Sequence, residues 1–339
     1  MTQSVSSDSN TDSFSELAPA TASLHGNDSS DAVLHRLAAA MDQVNAVVLG
    51  NPQAIKLTFC SMLAGGHLLI EDLPGVGKTT LANAMAGTLG LDYRRIQFTS
   101  DLLPADVVGI SIYSQNHEQF SFQHGPIFSQ LVLADEINRA PPRTQSALLE
   151  AMAENQVTVD GQHYRLPQPF FVIATQNPLD LAGTWLLPDS QLDRFLLKIS
   201  LGYPPRDAER ALLRAPDRQA ILGDCERLLD SSDVITLRSL AARVHCSEAL
   251  LDYIHALIEQ SRNHAGIATG LSPRAGLALL ATSRAHAILA GRMHAEPDDV
   301  KAVFTALAAH RLKLLDEPGQ HSKDATRVAS ELLEATAIP

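Results

Sequence analysis

Apolar residues between positions 32 and 64 recur at helical spacing, and the pattern breaks at Leu49, Gly50, Asn51 and Pro52, which predicts two helices joined by a turn. Five short apolar runs follow: HLLIED at 67–72, YRRIQF at 93–98, LVLADE at 131–136, FFVIATQ at 170–176 and RFLLKISL at 194–201. Near-continuous apolar character of this kind suits central parallel strands covered on both faces. Between the first two runs, Leu81, Met85 and Leu89 share one helical stripe, and Gly90 stands where a C-terminal cap would. The unit reads strand, glycine loop, helix, strand.

Two further segments alternate as hairpins do, 109–125 and 156–166, the second with Asp160-Gly161 as its turn signal. Both read as insertions on a compact α/β core. After Pro204-Pro205 the strand signals stop, and amphipathic runs near 235–262, 273–290 and 297–314 predict an all-helical second domain. Residues 1–31 are mostly small and polar and cannot offset their ordering entropy by burial, so a disordered tail is expected. The resulting division is tail 1–31, α/β core 32–205, linking helical region 206–232 and helical domain 233–335.

Composition narrows this picture. A chain of 339 residues fits about two domains. Its 26 Lys plus Arg against 38 Asp plus Glu give a net charge of -12, the wrong sign for covering a nucleic-acid backbone. Cys60, Cys225 and Cys246 form no pair or metal-ligand spacing, which argues against both a disulfide framework and a zinc site. No run approaches the ~18 apolar residues of a membrane span, and no secretory signal precedes the fold, so a cytoplasmic protein without membrane insertion is expected.

The chemistry gathers at the ends of the apolar runs. After Pro74, EDLPGVGKTT lets Gly75, Val76 and Gly77 turn tightly with backbone N–H groups aimed at phosphate oxygens, and the next helix adds its N-terminal dipole. Lys78 is placed to reach β- and γ-phosphates and the Thr79 hydroxyl to bind Mg²⁺, with Thr80 beside it, as in the pattern G-x-x-x-x-G-K-[ST]. The first glycine of that pattern is Asp72, a carboxylate that weakens phosphate binding unless it points away. Asp135 and Glu136 end the third run, Asp135 as a Mg²⁺ ligand and Glu136 to polarise the attacking water; alone, the same pair reads equally as a solvated strand end. Asn177 ends the fourth, where an amide can bond a phosphate or that water, while Asn before Pro is also a turn former.

Taken together the chain resembles the MoxR family of AAA+ ATPases. The resemblance rests on FTSDLLPADVVG at 98–109, GPIFSQLVLADEINRAPPRTQSALLEAM at 125–152, VIATQNP at 172–178, LPDSQLDRF at 187–195 and LSPRAGLALL at 271–280. It implies a P-loop AAA+ core with a five-stranded parallel sheet in the order 5-1-4-3-2 and hairpin insertions, followed by a C-terminal all-helical lid. It further implies ATP with Mg²⁺, Asn177 as sensor 1, Arg194 as the arginine finger reaching a neighbouring subunit, Arg274 as sensor 2 on the lid, and Gly50 near the adenine. The bland alternatives are an ion pair of Arg194 with Asp189 or Asp193, and simple exposure of Arg274. The family's partners are copies of itself in a hexameric ring and a protein client, often beside a von Willebrand factor A domain protein. Two rivals stand beside a remodelling ATPase: a chelatase-type or nucleic-acid motor, disfavoured because 111–120 carries no Lys or Arg, and a scaffold that binds ATP without hydrolysing it.

Overall fold

A computed structural model describes residues 26–114, 118–178, 183–214, 223, 225–315 and 324–338. The expected tail therefore lies outside the described residues up to position 25, but its last part does not: helix α1 spans Gly26–Val47 and starts earlier than the composition suggested. Helix α2 spans Pro52–Leu63, and the Asn51 side chain caps it by accepting from the Ala54 N–H at 3.0 Å.

Strand β1 (Leu68–Glu71) leads into helix α3 (Lys78–Leu89), which closes on Gly90 in the left-handed conformation at φ 58°. Then come β2 (Tyr93–Gln97), the short helix α4 (Pro104–Val108), a hairpin of β3 (Gly109–Ser114) and β4 (Gln119–His124), and β5 (Leu131–Asp135). Helix α5 (Pro142–Glu154) precedes the second hairpin, β6 (Gln156–Val159) and β7 (Gln162–Arg165), whose turn residues Asp160 and Gly161 have φ of 51° and 78°. Strand β8 (Phe171–Gln176), the single turn α6 (Asp189–Leu192) and β9 (Leu197–Ile199) complete the core.

The parallel sheet runs β2-β5-β8-β1-β9. Counting only its own strands in chain order, this is 5-1-4-3-2 seen from the other edge. Successive strand residues serve different cores: Leu68, Ile70, Leu131, Leu133, Phe171 and Ile173 pack toward α1, α2 and α3, while Leu69, Val132, Ala134, Val172 and Ala174 pack toward α4 and α5. That two-sided burial is why these runs read as continuously apolar. The exception is β2, whose run alone suits a central strand although the order 5-1-4-3-2 puts it outermost. It lies at an edge, so Arg94, Arg95 and Gln97 stay exposed and only Ile96 is buried. At the other edge β9 keeps three residues of its eight-residue run.

From Arg206 the described chain is helical: α7 (Arg206–Arg214), α8 (Ser231–Ala242), α9 (Glu248–Asn263), α10 (Pro273–Leu289), α11 (Pro297–Ala308) and α12 (Ala325–Ala335). The run expected over 235–262 is two helices, because Ser247 caps a new start by accepting from the Leu250 N–H. A small ladder of β10 (Ile267–Thr269) and β11 (Lys313–Leu314) ties the loop before α10 to the exit from α11. Helix α10 rests on α2 and α8, and α11 on β9. Arg311 fastens this layer to the N-terminal end of β9, donating to Asp193 Oδ1 at 2.8 Å and to the Phe195 and Leu196 carbonyls.

Candidate functional site

A cavity of about 320 Å³ opens at the C-terminal ends of β1, β5 and β8, lined by Pro74, Gly75, Gly77, Lys78, Thr79, Thr80, Arg95, Asp135, Glu136 and Asn177. Gly75 (φ 85°) and Gly77 (φ 100°) adopt left-handed conformations that side chains resist, with open space where a Cβ would lie. Backbone shape, not crowding, demands glycine at both. Gly77 brings no capping side chain to α3, so the first-turn N–H groups have no side-chain acceptor from the cap residue. The Lys78 ammonium is buried and donates to the Asp72 carbonyl at 2.8 Å. Burial lowers its pKa, with Asp135, Asp72 and Glu136 opposing that shift.

Asp72 itself turns away from the cavity. Its Oδ2 accepts from the backbone N–H of Leu201 (2.6 Å) and Gly202 (2.9 Å) and from the Ser200 hydroxyl (3.1 Å), and Oδ1 accepts from the Leu73 N–H (3.1 Å). The residue that departs from the phosphate-loop pattern thus clamps the chain leaving β9.

The acidic pair is positioned from both neighbouring strands. Thr175, fully buried on β8, donates its hydroxyl to Asp135 Oδ1 at 2.6 Å and accepts from the Glu136 N–H at 2.9 Å. Glu136 sits at φ 57°, a left-handed conformation for a residue with a side chain, which this bond helps to hold. From β2, Arg95 donates to Asp135 Oδ2 through Nε (3.1 Å) and Nη2 (2.6 Å), and Nη2 also donates to Gln97 Oε1 at 2.7 Å. Gln97 Nε2 donates to Glu136 Oε2 at 2.9 Å, and Arg139 lies 3.3 Å from the same oxygen. Thr175, Arg95 and Gln97 were missed in the sequence because their role comes from strand pairing rather than from a local pattern.

The remaining expected residues divide. Asn177 joins the cavity; Val76 does not, its side chain packing against the core beneath the loop. Gly50 (φ 129°) abuts Pro204, which a Cβ would approach to 3.0 Å, and it too lies outside the cavity lining. Arg194 lies before β9, at the end of the sheet opposite the glycine loop. Its Nη1 donates to the Leu149 carbonyl at 2.8 Å, while Asp193 and Asp189 pair with Arg311 and Lys313 instead. Arg274 is exposed in the first turn of α10, after the Ser272 cap, and close enough to Arg311 to disfavour that group's charge. Among the described residues, none of the helical layer lines this cavity, Arg274 included.

The donor set suits a triphosphate with a hard divalent cation. An uncapped helix N-terminus and a buried ammonium face the cavity, and a carboxylate and a hydroxyl offer oxygen ligands. Among the described residues no His/Cys/Asp/Glu group forms a metal cluster and no helix is long and apolar enough to cross a membrane.

Residues 67–197 match the ATPase family associated with various cellular activities (AAA), and 259–332 match the AAA lid domain. An uncharacterized protein, YeaC, from Bacillus subtilis is 40% identical over 89% of this chain and 95% of its own. Chaperone MoxR1 from Mycobacterium tuberculosis is 36% identical over 91% of this chain and 84% of its own, and protein MoxR from Paracoccus denitrificans is 35% identical over 80% and 86%. The crystal structure of a proposed ATPase from Cytophaga hutchinsonii superposes with a TM-score of 0.84 at 34% identity, covering 92% of this chain and 98% of that one.

Proposed function

We infer the activity of the site from one premise: the chain belongs to the MoxR family of AAA+ ATPases. It is an ATP-hydrolysing enzyme of that family, and membership implies ATP and Mg²⁺ at the cavity. The observation that supports an assignment of roles is the convergence of Lys78, Thr79, Asp135, Glu136 and Asn177, drawn from three chain segments, around one cavity.

In the proposed mechanism the N–H groups of 75–80 cradle the phosphates, and Lys78 exchanges its bond to the Asp72 carbonyl for phosphate oxygens. Thr79 and Asp135 would hold Mg²⁺, which would supply charge neutralisation on the transferred phosphoryl group. Thr175 keeps Asp135 and Glu136 in register, Glu136 orients the attacking water, and Asn177 contacts that water or the γ-phosphate. Arg194 and Arg274 lie at the other end of the sheet, so both are assigned to a neighbouring subunit's phosphates. Their guanidinium groups stay charged and fork onto phosphate oxygens.

The assembly proposed is a hexameric ring that remodels a client protein and so matures or activates a complex, with a von Willebrand factor A domain protein as partner. The hairpins favour a protein client over a nucleic acid. They stack through Phe122 and Tyr164 at 4.1 Å and expose the aromatic pair Tyr113 and Phe120, the latter 72% exposed.

A Glu136→Gln subunit should bind ATP, stay assembled and lose turnover by about 100-fold or more. Affinity capture with this variant in Mg-ATP should enrich a client over a Lys78→Ala control; equal recovery from both would remove the remodelling role. Mixing Arg194→Ala with Glu136→Gln subunits should recover part of the turnover, and no recovery would count against the shared site.

A further inference from the structure

Asp135 offers two carboxylate oxygens, and both are engaged. Oδ1 faces the buried Thr175 hydroxyl, while Oδ2 is held by the fork of Arg95. The Asp135 side chain is 10% accessible and that of Arg95 is 47%, so the carboxylate is fixed and the guanidinium is the partner with room to leave. Arg95 is also not needed to fasten β2, which is paired with β5 along its whole length from Tyr93 to Gln97. It lines the cavity, and it places a cation on one oxygen of the carboxylate read as the metal ligand.

We propose that Arg95 is a stand-in cation for the metal: it holds Asp135 in the nucleotide-free subunit, and Mg²⁺ and Arg95 exclude each other on Asp135 Oδ2. The proposal rests on the reading of Asp135 as the metal ligand. Two cations on one oxygen repel each other, so metal entry with the nucleotide detaches the fork. The same Nη2 anchors Gln97, and Gln97 donates to Glu136, so detachment also loosens a hydrogen-bonded link to the Glu136 carboxylate. Arg95 thereby acts as a positioning residue for both acidic groups.

The test is equilibrium binding of a fluorescent ATP analogue to the full chain at fixed nucleotide, with Mg²⁺ titrated in from excess EDTA. Arg95→Met should lower the half-saturating Mg²⁺ concentration by about two- to five-fold, the range that a half-exposed ion pair supports. Arg95→Lys, which keeps charge but loses the fork, should fall between Arg95→Met and wild type. An Arg95→Met midpoint equal to or above wild type overturns the proposal, including the case in which the variant merely melts earlier as a structural ion pair would. Asp135→Asn separates the two claims: a raised midpoint there with no effect at Arg95 leaves Asp135 as ligand and sinks only the stand-in cation. An unchanged Asp135→Asn midpoint removes the metal reading and this proposal with it.

Discussion

Asp72→Gly restores the glycine of the general phosphate-loop pattern, and the structure predicts harm rather than repair. The substitution deletes the acceptor of the Leu201 and Gly202 N–H groups, the Ser200 hydroxyl and the Leu73 N–H. Ser200 and Gly202 are accessible enough to turn to water, but Leu201 is only 6% exposed and its N–H stays without a partner. An orphaned buried donor costs about 1–3 kcal/mol, and the added backbone freedom of glycine about 0.5–1 kcal/mol. The sum, about 1.5–4 kcal/mol, corresponds to a melting temperature lower by roughly 2–6 °C for a chain of this length. Nucleotide affinity should also fall by about tenfold, because Lys78 is anchored on the main-chain oxygen of the residue that loosens. Asp72→Asn keeps one acceptor oxygen and should fall less on both counts. Thermal unfolding and fluorescent-nucleotide titration read the two effects separately. A glycine variant that melts within about 1 °C of wild type and binds ATP as well or better would refute the clamp.

Thr175→Val preserves shape but removes the hydroxyl that serves Asp135 and Glu136, so turnover should drop about tenfold or more while the fold persists; unchanged turnover in a steady-state ATPase assay would show that the bond is incidental. Stability should also fall with acidity above the carboxylate range. Burial holds the neutral His67 and His310 down to about 4 and about 3, against an ordinary 6.5. The unfolded chain takes up protons near 6.5 where the folded one does not, so the denaturant midpoint should be highest near neutral pH and decline as pH drops from about 6.5 toward 4. His67 uses both ring nitrogens in its neutral form, toward the Met152 carbonyl and the Val172 N–H, and His67→Gln should flatten part of that slope. A midpoint constant across this window would contradict the assignment.

Much of the cavity lining was legible because its pieces are local. A glycine loop between a strand and a helix, and acidic residues ending an apolar strand, carry their meaning within a few positions. The strands themselves were visible because Leu131, Val132 and Leu133 alternate between two cores and so cannot be polar on either side. Edge positions carry no such signal. YRRIQF reads as buried, yet Arg94 and Arg95 project from an open edge, and only the pairing of β2 with β5 brings Arg95 to Asp135 across 40 residues of chain. The partner of Asp72 lies about 130 residues away, and the docking of Arg311 on Asp193, 118 residues apart, depends on how two layers meet. No spacing in a single chain encodes either contact.

The opposed positions of the glycine loop and of Arg194 also set an arithmetic. If each catalytic centre joins the loop end of one subunit to the arginine end of the next, the two faces are different surfaces and cannot pair about a two-fold axis. Contacts then run head to tail, and an open row always leaves one loop without its arginines. A row of two would work at about half the rate per subunit of a closed circle, and each added copy would bring the average nearer to full rate until closure removes the last idle centre. Specific activity would thus report completeness of assembly directly, with no change of shape within a subunit required.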